Sequence, residues 1–295
     1  MALEFTGFTI CPLATLGVLH FDGPDASSFL QGQLSCDTAQ LGGAQLLPAG
    51  WHNPHGRVLA LLRVGLAGSE RIVAVLEREL AVSVAENLRR YVLRAKVTIT
   101  DASDHVAVLG LLPELPGAPA APAAPTGTLI YRDGTAARWL LLQPANAVPP
   151  AALLSAERWH AALLAAGFPT VGRAISGQFV AQMLNLDCVG AISFTKGCYT
   201  GQEVIARAHY RGKVKRRMQR FLTRSTAKLA AGEHYRLSDG REAQIVDAWA
   251  RTDGRSELLA VAPLKALSAG TSPAPTPGAP LLECESLPLP YELPG

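Results

Sequence analysis

The apolar positions of this chain change period several times. The runs "GRVLALLRVGL" (56–66) and "ERIVAVLE" (70–77) are nearly continuous in Val, Ile and Leu. They predict two strands separated by "AGS". The next stretch, "ELAVSVAENLRRYVLRA", switches to helical spacing: Leu80, Val84, Leu88 and Tyr91/Val92 fall on one stripe. "KVTIT", "HVAVLGLL" and "ARWLLLQ" read as further strands, and "YRDGTAARW" offers an Asp-Gly turn before the last of them. Near the start, "GVLHFDGPDASSFLQGQLSCDTAQL" predicts a strand, a Gly-Pro-Asp break and a helix with Asp25 as N-cap. "SAERWHAALLAAG" is a second amphipathic helix. Beyond Met218 the chain turns strand-like with short loops, in "QRFLTR", "HYRLSD", "AQIVDAWAR" and "ELLAVAPLKAL". A small β-barrel or sandwich is expected there.

Two zones interrupt this pattern. "PELPGAPAAPAAPTG" and "SAGTSPAPTPGAP" are rich in Pro and Ala and have no face to bury. They predict loops. The fold class is therefore α+β, and the length suggests two or three domains. The longest uncharged run, Trp139 to Ala156, is broken by Pro144, Pro149 and Pro150, so no transmembrane helix and no membrane partner are expected. The N-terminus lacks a basic region and reads as an opening strand rather than a signal peptide. The five cysteines (Cys11, Cys36, Cys188, Cys198, Cys284) form no CxxC pair. Neither zinc nor a disulfide framework is indicated, and reduced thiols in a cytoplasmic protein are expected.

Net charge is only +3, but "RAHYRGKVKRR" (Arg207 to Arg217) carries six positive charges and no acid, which leaves the rest of the chain net acidic. The run is either a solvated strand edge or an attractor of polyanions such as tRNA phosphates or the carboxylates of a ligand. It holds few aromatics beyond Tyr210, so base stacking is not indicated.

Just before it stands "KGCYTGQE" (Lys196 to Glu203). Cys198 in a glycine-flanked turn is either a nucleophilic or redox thiol, with Lys196 favouring its thiolate, or a small buried thiol. Glu203 is either a ligand-binding carboxylate or a helix first-turn acid. Tyr199 and Trp159 could each stack on a flat ring, and Trp159 could equally be core.

The run "GFPTVGRAISGQFVAQMLNLDCVGAISFTKGCYTGQEVIARAHYRGKVKRR" resembles the YgfZ family of folate-binding proteins, relatives of the T-protein (aminomethyltransferase) of the glycine cleavage system. "GPDASSFLQGQLSCD", "NPHGRVLA", "LRRYVLRAKVTI" and "PLPYEL" extend the likeness over nearly the whole chain. The resemblance implies a three-domain cloverleaf with a central hole that receives tetrahydrofolate. The first domain would join residues 1–50 to 149–204, the second span 51–148, and a C-terminal antiparallel β-barrel domain span 205–295. It also implies a cytoplasmic partnership with iron–sulfur enzymes or their assembly factors, including enzymes that modify tRNA. Lys196, Cys198, Tyr199, Gly201, Gln202 and Glu203 take the signature positions. Trp159 takes that of an aromatic near the folate, and Arg207 or Arg211 suits the folate tail. Where the T-protein places its acidic pair, this chain has Ala60 and Leu61, and "VGRAISGQF" lacks the T-protein's pterin-binding glutamate. Glycine-cleavage chemistry is therefore not expected. A folate-dependent accessory protein and a one-carbon transferase of unknown substrate both stand as functions.

Overall fold

The structure, a computed structural model, describes residues 5, 7–114, 122, 127–133, 138–147, 155–212, 214–225, 227–264 and 278–294. Most of the two Pro/Ala-rich zones, Gly134 of the expected Asp-Gly turn and Lys213 lie outside the described residues.

Among the described residues, nine strands build one sheet. In chain order they are β1 (Phe8–Pro12), β2 (Leu16–Asp22), β3 (Gln45–His52), β4 (Val58–Leu66), β5 (Arg71–Glu77), β6 (Thr98–Asp101), β7 (Val106–Pro113), β8 (Leu129–Asp133) and β9 (Trp139–Pro144). Their spatial order is β1-β7-β9-β8-β3-β4-β5-β2-β6. Neighbours run antiparallel except β3 and β8, which meet in parallel for two residue pairs. The apolar runs 56–66 and 70–77 are strands as expected, β4 and β5, and the fold makes them antiparallel partners. Their side chains alternate between two buried faces. Leu62, Val64, Ile72 and Ala74 enter one core with α1 (Ala26–Gln33) and α2 (Arg78–Arg89). Val58, Val73 and Val75 enter a second core. Ala60 and Leu61 divide the same way, one to each core.

α2 buries Leu80, Val84 and Leu88 as its stripe predicts, but it ends at Arg89, and Tyr91, expected on that stripe, is exposed. Asp25 holds the N-cap position of α1 without capping it. Its carboxylate accepts from the Lys96 amide at 2.7 Å instead, tying the helix start to the strand that leads into β6. The boundary expected near residue 50 falls within β3, whose partner β4 lies beyond it.

α3 (Ala156–Ala165) is capped by the Ser155 hydroxyl, which accepts from the Glu157 amide at 3.1 Å. α4 (Gln202–Tyr210) follows the long irregular stretch after α3. The C-terminal strands are β10 (Arg216–Thr223), β11 (His234–Leu237), β12 (Glu242–Ala250), β13 (Ser256–Pro263), β14 (Leu281–Leu282) and β15 (Cys284–Leu287). They pair in the order β14-β11-β12-β13-β10-β15, antiparallel except for the short β11–β14 contact, and form a nearly closed barrel-like sheet. Phe221, Ile245 and Leu258 fill its own small core. Met218, Val246, Leu259 and Val261 face outward into the core shared with the large sheet and α3. Among the described residues, no helix is long and apolar enough to cross a membrane.

Candidate functional site

Residues 185–201 contain no helix or strand. Their backbone groups must find individual partners, and those partners set the shape of the signature turn. On the N-terminal flank the Ser193 amide donates to the Ser35 carbonyl at 2.8 Å. The Ser35 hydroxyl donates to the Ala191 carbonyl at 2.5 Å and accepts from the Gly50 amide at 2.8 Å. The Lys196 ammonium then reaches under the end of α1. It donates to the carbonyls of Gln31, Leu34 and Cys36 at 2.7, 2.6 and 2.7 Å. An ammonium has three hydrogens, and all three are matched. The cation also meets the negative end of the helix dipole and lies 5.1 Å from the Tyr199 ring centroid. Burial pushes the Lys196 pKa down, opposed by Cys36 and Asp37.

On the other flank, Gly201 has φ +83°, and a Cβ there would lie 2.6 Å from the Asn53 carbonyl oxygen. Only glycine fits. α4 begins at the next residue, with Glu203 as its first-turn acid. The Gln202 side chain makes a long hydrogen bond, 3.4 Å, to the Gly197 carbonyl. Gly197 itself is not crowded; a Cβ would meet nothing within 4 Å.

Cys198 sits at the tip between these anchors. It is exposed, whereas Cys11 and Cys36 are buried and Cys188 and Cys284 are half-buried. The reading of a buried thiol therefore does not hold. The pairing expected with Lys196 is not built either, because the ammonium is spent on carbonyls. Burial pushes the thiols of Cys36, Cys188 and Cys284 up to about 11, which keeps them protonated.

Tyr199 points inward, 7% exposed, with its hydroxyl unpartnered and burial pushing its pKa up to about 12. Its ring lies 6.2 Å from that of His52, which sequence reasoning missed. His52 is 1% exposed, neither ring nitrogen has a partner, and burial pushes its pKa down to about 3. It is a neutral core imidazole.

Trp159 takes the core alternative. Its ring lies over Gly110 of β7, where a Cβ would come within 2.3 Å of it, and Arg138 approaches the ring at 5.8 Å. The neighbouring His160 reaches the C-terminal sheet, with Nε2 2.8 Å from Asp247 Oδ1. A β-bulge between Ile245 and Asp247 aims that carboxylate. Burial is the largest influence and lowers the His160 pKa, but the hydrogen bond and charge of Asp247, joined by the charge of Glu77, together raise it. Glu77, at the end of β5, is pushed up to about 7 chiefly by burial, with Arg63 opposing and Asp247 adding to the rise. Glu77 lines a cavity of about 470 Å³ together with Ala14, Thr15, Arg78 and Glu79. Asp247 Oδ2 and Trp249 Nε1 are buried without partners. Sequence patterns did not single out Glu77, His160 or Asp247, because they belong to three elements that only the fold brings together.

Most of the basic run is not a strand edge: it covers the end of α4 and the loop after it, and only Arg216 and Arg217 enter a strand, β10. Arg207 and Arg211 lie at the end of α4, exposed, and line a groove of about 460 Å³ with Glu203, Ala206 and Tyr210. Arg217 is buried and paired with Asp187 at 2.9 Å. The residues expected to hold folate (Trp159, Tyr199, Gln202, Glu203, Arg207 and Arg211) are thus not gathered into one cavity. Among the described residues no group of His, Cys, Asp and Glu could hold a metal ion.

No family model matches the chain. It is 33% identical over 272 residues to the tRNA-modifying protein YgfZ of Klebsiella pneumoniae (strain 342), covering 83% of this chain and 79% of the relative. It is 33% identical over 270 residues to the protein of the same description from Escherichia coli O157:H7, with the same coverage. Among solved structures it is similar to the glycine cleavage system aminomethyltransferase T from Bartonella henselae, with TM-score 0.68 and 15% identity over 87% of this chain and 78% of that one. At that identity the likeness is one of fold.

Proposed function

The chain belongs to the YgfZ family, and from that premise we propose that it is a tetrahydrofolate-binding accessory protein of the cytoplasm that supports iron–sulfur enzymes, those that modify tRNA among them. The observation that carries this reading is the presentation of one thiol. Cys198 stands exposed on a turn anchored at both ends, while every other cysteine is at least half-buried. A thiol held this way can form a transient bond to a client's metal cluster or to another sulfur without the turn rearranging.

The proposed folate seat is the region around Glu77, which fits the group better than the set expected from sequence. A pterin edge carries several N–H donors and ring acceptors and needs fixed polar partners. The Glu77 carboxyl lines the cavity, and the Asp247 carboxylate, close enough to raise the Glu77 pKa, keeps one buried oxygen without a partner. In this reading the large sheet and the C-terminal sheet are lobes of a cloverleaf around the ligand, without the boundary expected at residue 50, which the β3–β4 pairing crosses. Tetrahydrofolate supplies a flat, polar-edged ligand when bound; the chain's own residues bind and orient it. Micromolar affinity is expected, roughly −8 kcal/mol. Calorimetry with tetrahydrofolate tests the seat. Asp247→Asn weakens binding if the assignment holds, and binding indifferent to that change removes it.

A one-carbon transferase is the second reading. Against it, Ala60 and Leu61 are both buried apolar core residues and offer no carboxylate. Turnover of labelled methylene-tetrahydrofolate by the pure protein would revive it. Cys198 is tested by complementation of a strain lacking the protein. Full complementation by a well-folded Cys198→Ala variant would falsify the accessory role assigned to this thiol.

A further inference from the structure

Read in sequence, the basic run has almost no aromatic company. The fold changes that. Phe194, from the irregular stretch before the signature turn, stacks on His209 of α4 with centroids 3.7 Å apart and planes 16° from parallel. His209 meets Tyr210 edge-on at 4.7 Å, and Phe194 meets Tyr210 at 6.2 Å. Three rings thus form one cluster, capped by Tyr210 at 67% exposure. On the same stretch, Arg207 and Arg211 are exposed, four residues apart, and neither forms an ion pair among the described residues. Lys215 is exposed beyond them and also forms no ion pair among the described residues. The run's inward charge, Arg217, is already matched by Asp187. The outward charges are left for something else. The one acid in the groove, Glu203, lies a full turn or more from Tyr210, at the start of the helix.

We propose that this face of α4, with Phe194 behind it, binds single-stranded RNA. Bases stack on an exposed aromatic ring, and arginines one helical turn apart meet neighbouring phosphates. An acidic polypeptide would use the arginines but has no use for the ring cluster. The surface shares no lining residue with the Glu77 cavity, so the proposal stands apart from the folate seat.

The test is fluorescence anisotropy of the full chain with a labelled 12-nucleotide oligouridylate over a range of salt, with polyglutamate as competitor. The wild type is expected to bind, with log K falling linearly as log salt rises. Tyr210→Ala lowers affinity about ten-fold with the salt slope unchanged, and Tyr210→Phe, which keeps the ring, restores it. Arg207→Gln combined with Arg211→Gln reduces the slope by about 1.4, the contribution of two phosphates on a single strand. Melting curves confirm that these surface variants remain folded, and tetrahydrofolate calorimetry on the same variants is expected to be unaffected. Absence of oligouridylate binding at low salt overturns the proposal. So does an affinity indifferent to Tyr210→Ala, or polyglutamate displacing the RNA at equal charge, which would reassign the face to acidic polypeptides.

Discussion

The β4–β5 hairpin and the 185–201 stretch are held by different means. The hairpin is held from both sides by apolar side chains, and most of its backbone bonds follow from strand pairing, with Phe179, Ser176 and Tyr131 satisfying the groups at Val58, Leu59 and Leu66. The 185–201 stretch has no ladder. Leu186, Ala191, Ile192 and Tyr199 seat it in the apolar core, but its backbone is satisfied by a few polar side chains: Ser35, Lys196 and Asn185, whose amide donates to the Met218 carbonyl at 2.8 Å. Loss of a methyl group in the hairpin is shared among many contacts. Loss of one polar group in the stretch leaves specific carbonyls buried and unpaired. A functional thiol is better served by the second design, because a few directional bonds fix its position without covering it.

The largest effect is expected in the hairpin. Leu62→Ala removes a fully buried side chain and costs about 4 kcal/mol, read as a fall in the urea midpoint. Below the transition, Cys198 alkylation should proceed at the wild-type rate; a large change there would mean that the two regions are not independently held. Lys196→Met sharpens the comparison from the other side. It strands three carbonyls, two of them in buried hydrogen bonds, at a cost of about 3 kcal/mol, and hydrogen exchange should show lost protection centred on residues 191–199 rather than through the sheet. Because the three Lys196 donors are taken by carbonyls, the rate of Cys198 alkylation at neutral pH should not fall. A large fall would return Lys196 to the role of the thiol's cation.

Gly201→Ala should cost about 2 kcal/mol, since it forces a side chain against the Asn53 carbonyl at positive φ. Gly197→Ala, two residues before Tyr199, meets open space and should leave the melting temperature within error. Equal effects at the two glycines would mean that the turn is not pinned at Gly201.

His52 gives a pH signature. Its folded pKa, about 3, lies below the ordinary value of 6.5, so the unfolded chain binds the extra proton. Its contribution is fully present above pH 6.5 and is lost as pH falls toward 3. Glu77 has the opposite sign: its folded pKa, about 7, lies above the ordinary 4.5, so its protonated form favours the fold and that contribution fades as pH rises from 4.5 to 7. Thermal melts of His52→Leu should lose part of the acid sensitivity below pH 6.5, and melts of Glu77→Gln should flatten the slope between pH 4.5 and 7. Unaltered pH profiles would place both groups in water. The smallest effect on stability belongs to Cys198→Ala, under ~0.5 kcal/mol at an exposed position, although its loss in complementation is expected to be complete.

The strands of 56–77, the stripe of α2, the helix at 156–165 and the β-rich C-terminal third were legible because each is a local repeat of side-chain character. So was the signature turn, whose residue types stand out wherever they are placed. Partnership was not legible. Lys196 stands two residues from Cys198 but bonds to carbonyls 160 and more residues away. Trp159 and His160 are adjacent, yet one fills the core beneath β7 and the other pairs with Asp247 across the molecule. The basic run is continuous in sequence but faces outward at Arg207 and inward at Arg217. By itself, then, the sequence determined the elements, the family and the turn that carries the thiol, because these depend on short-range period and residue identity. The tertiary structure alone decided which charges are spent, which rings meet and which thiol stays in water, because these depend on contacts between segments far apart in the chain, and periodicity carries no information about them.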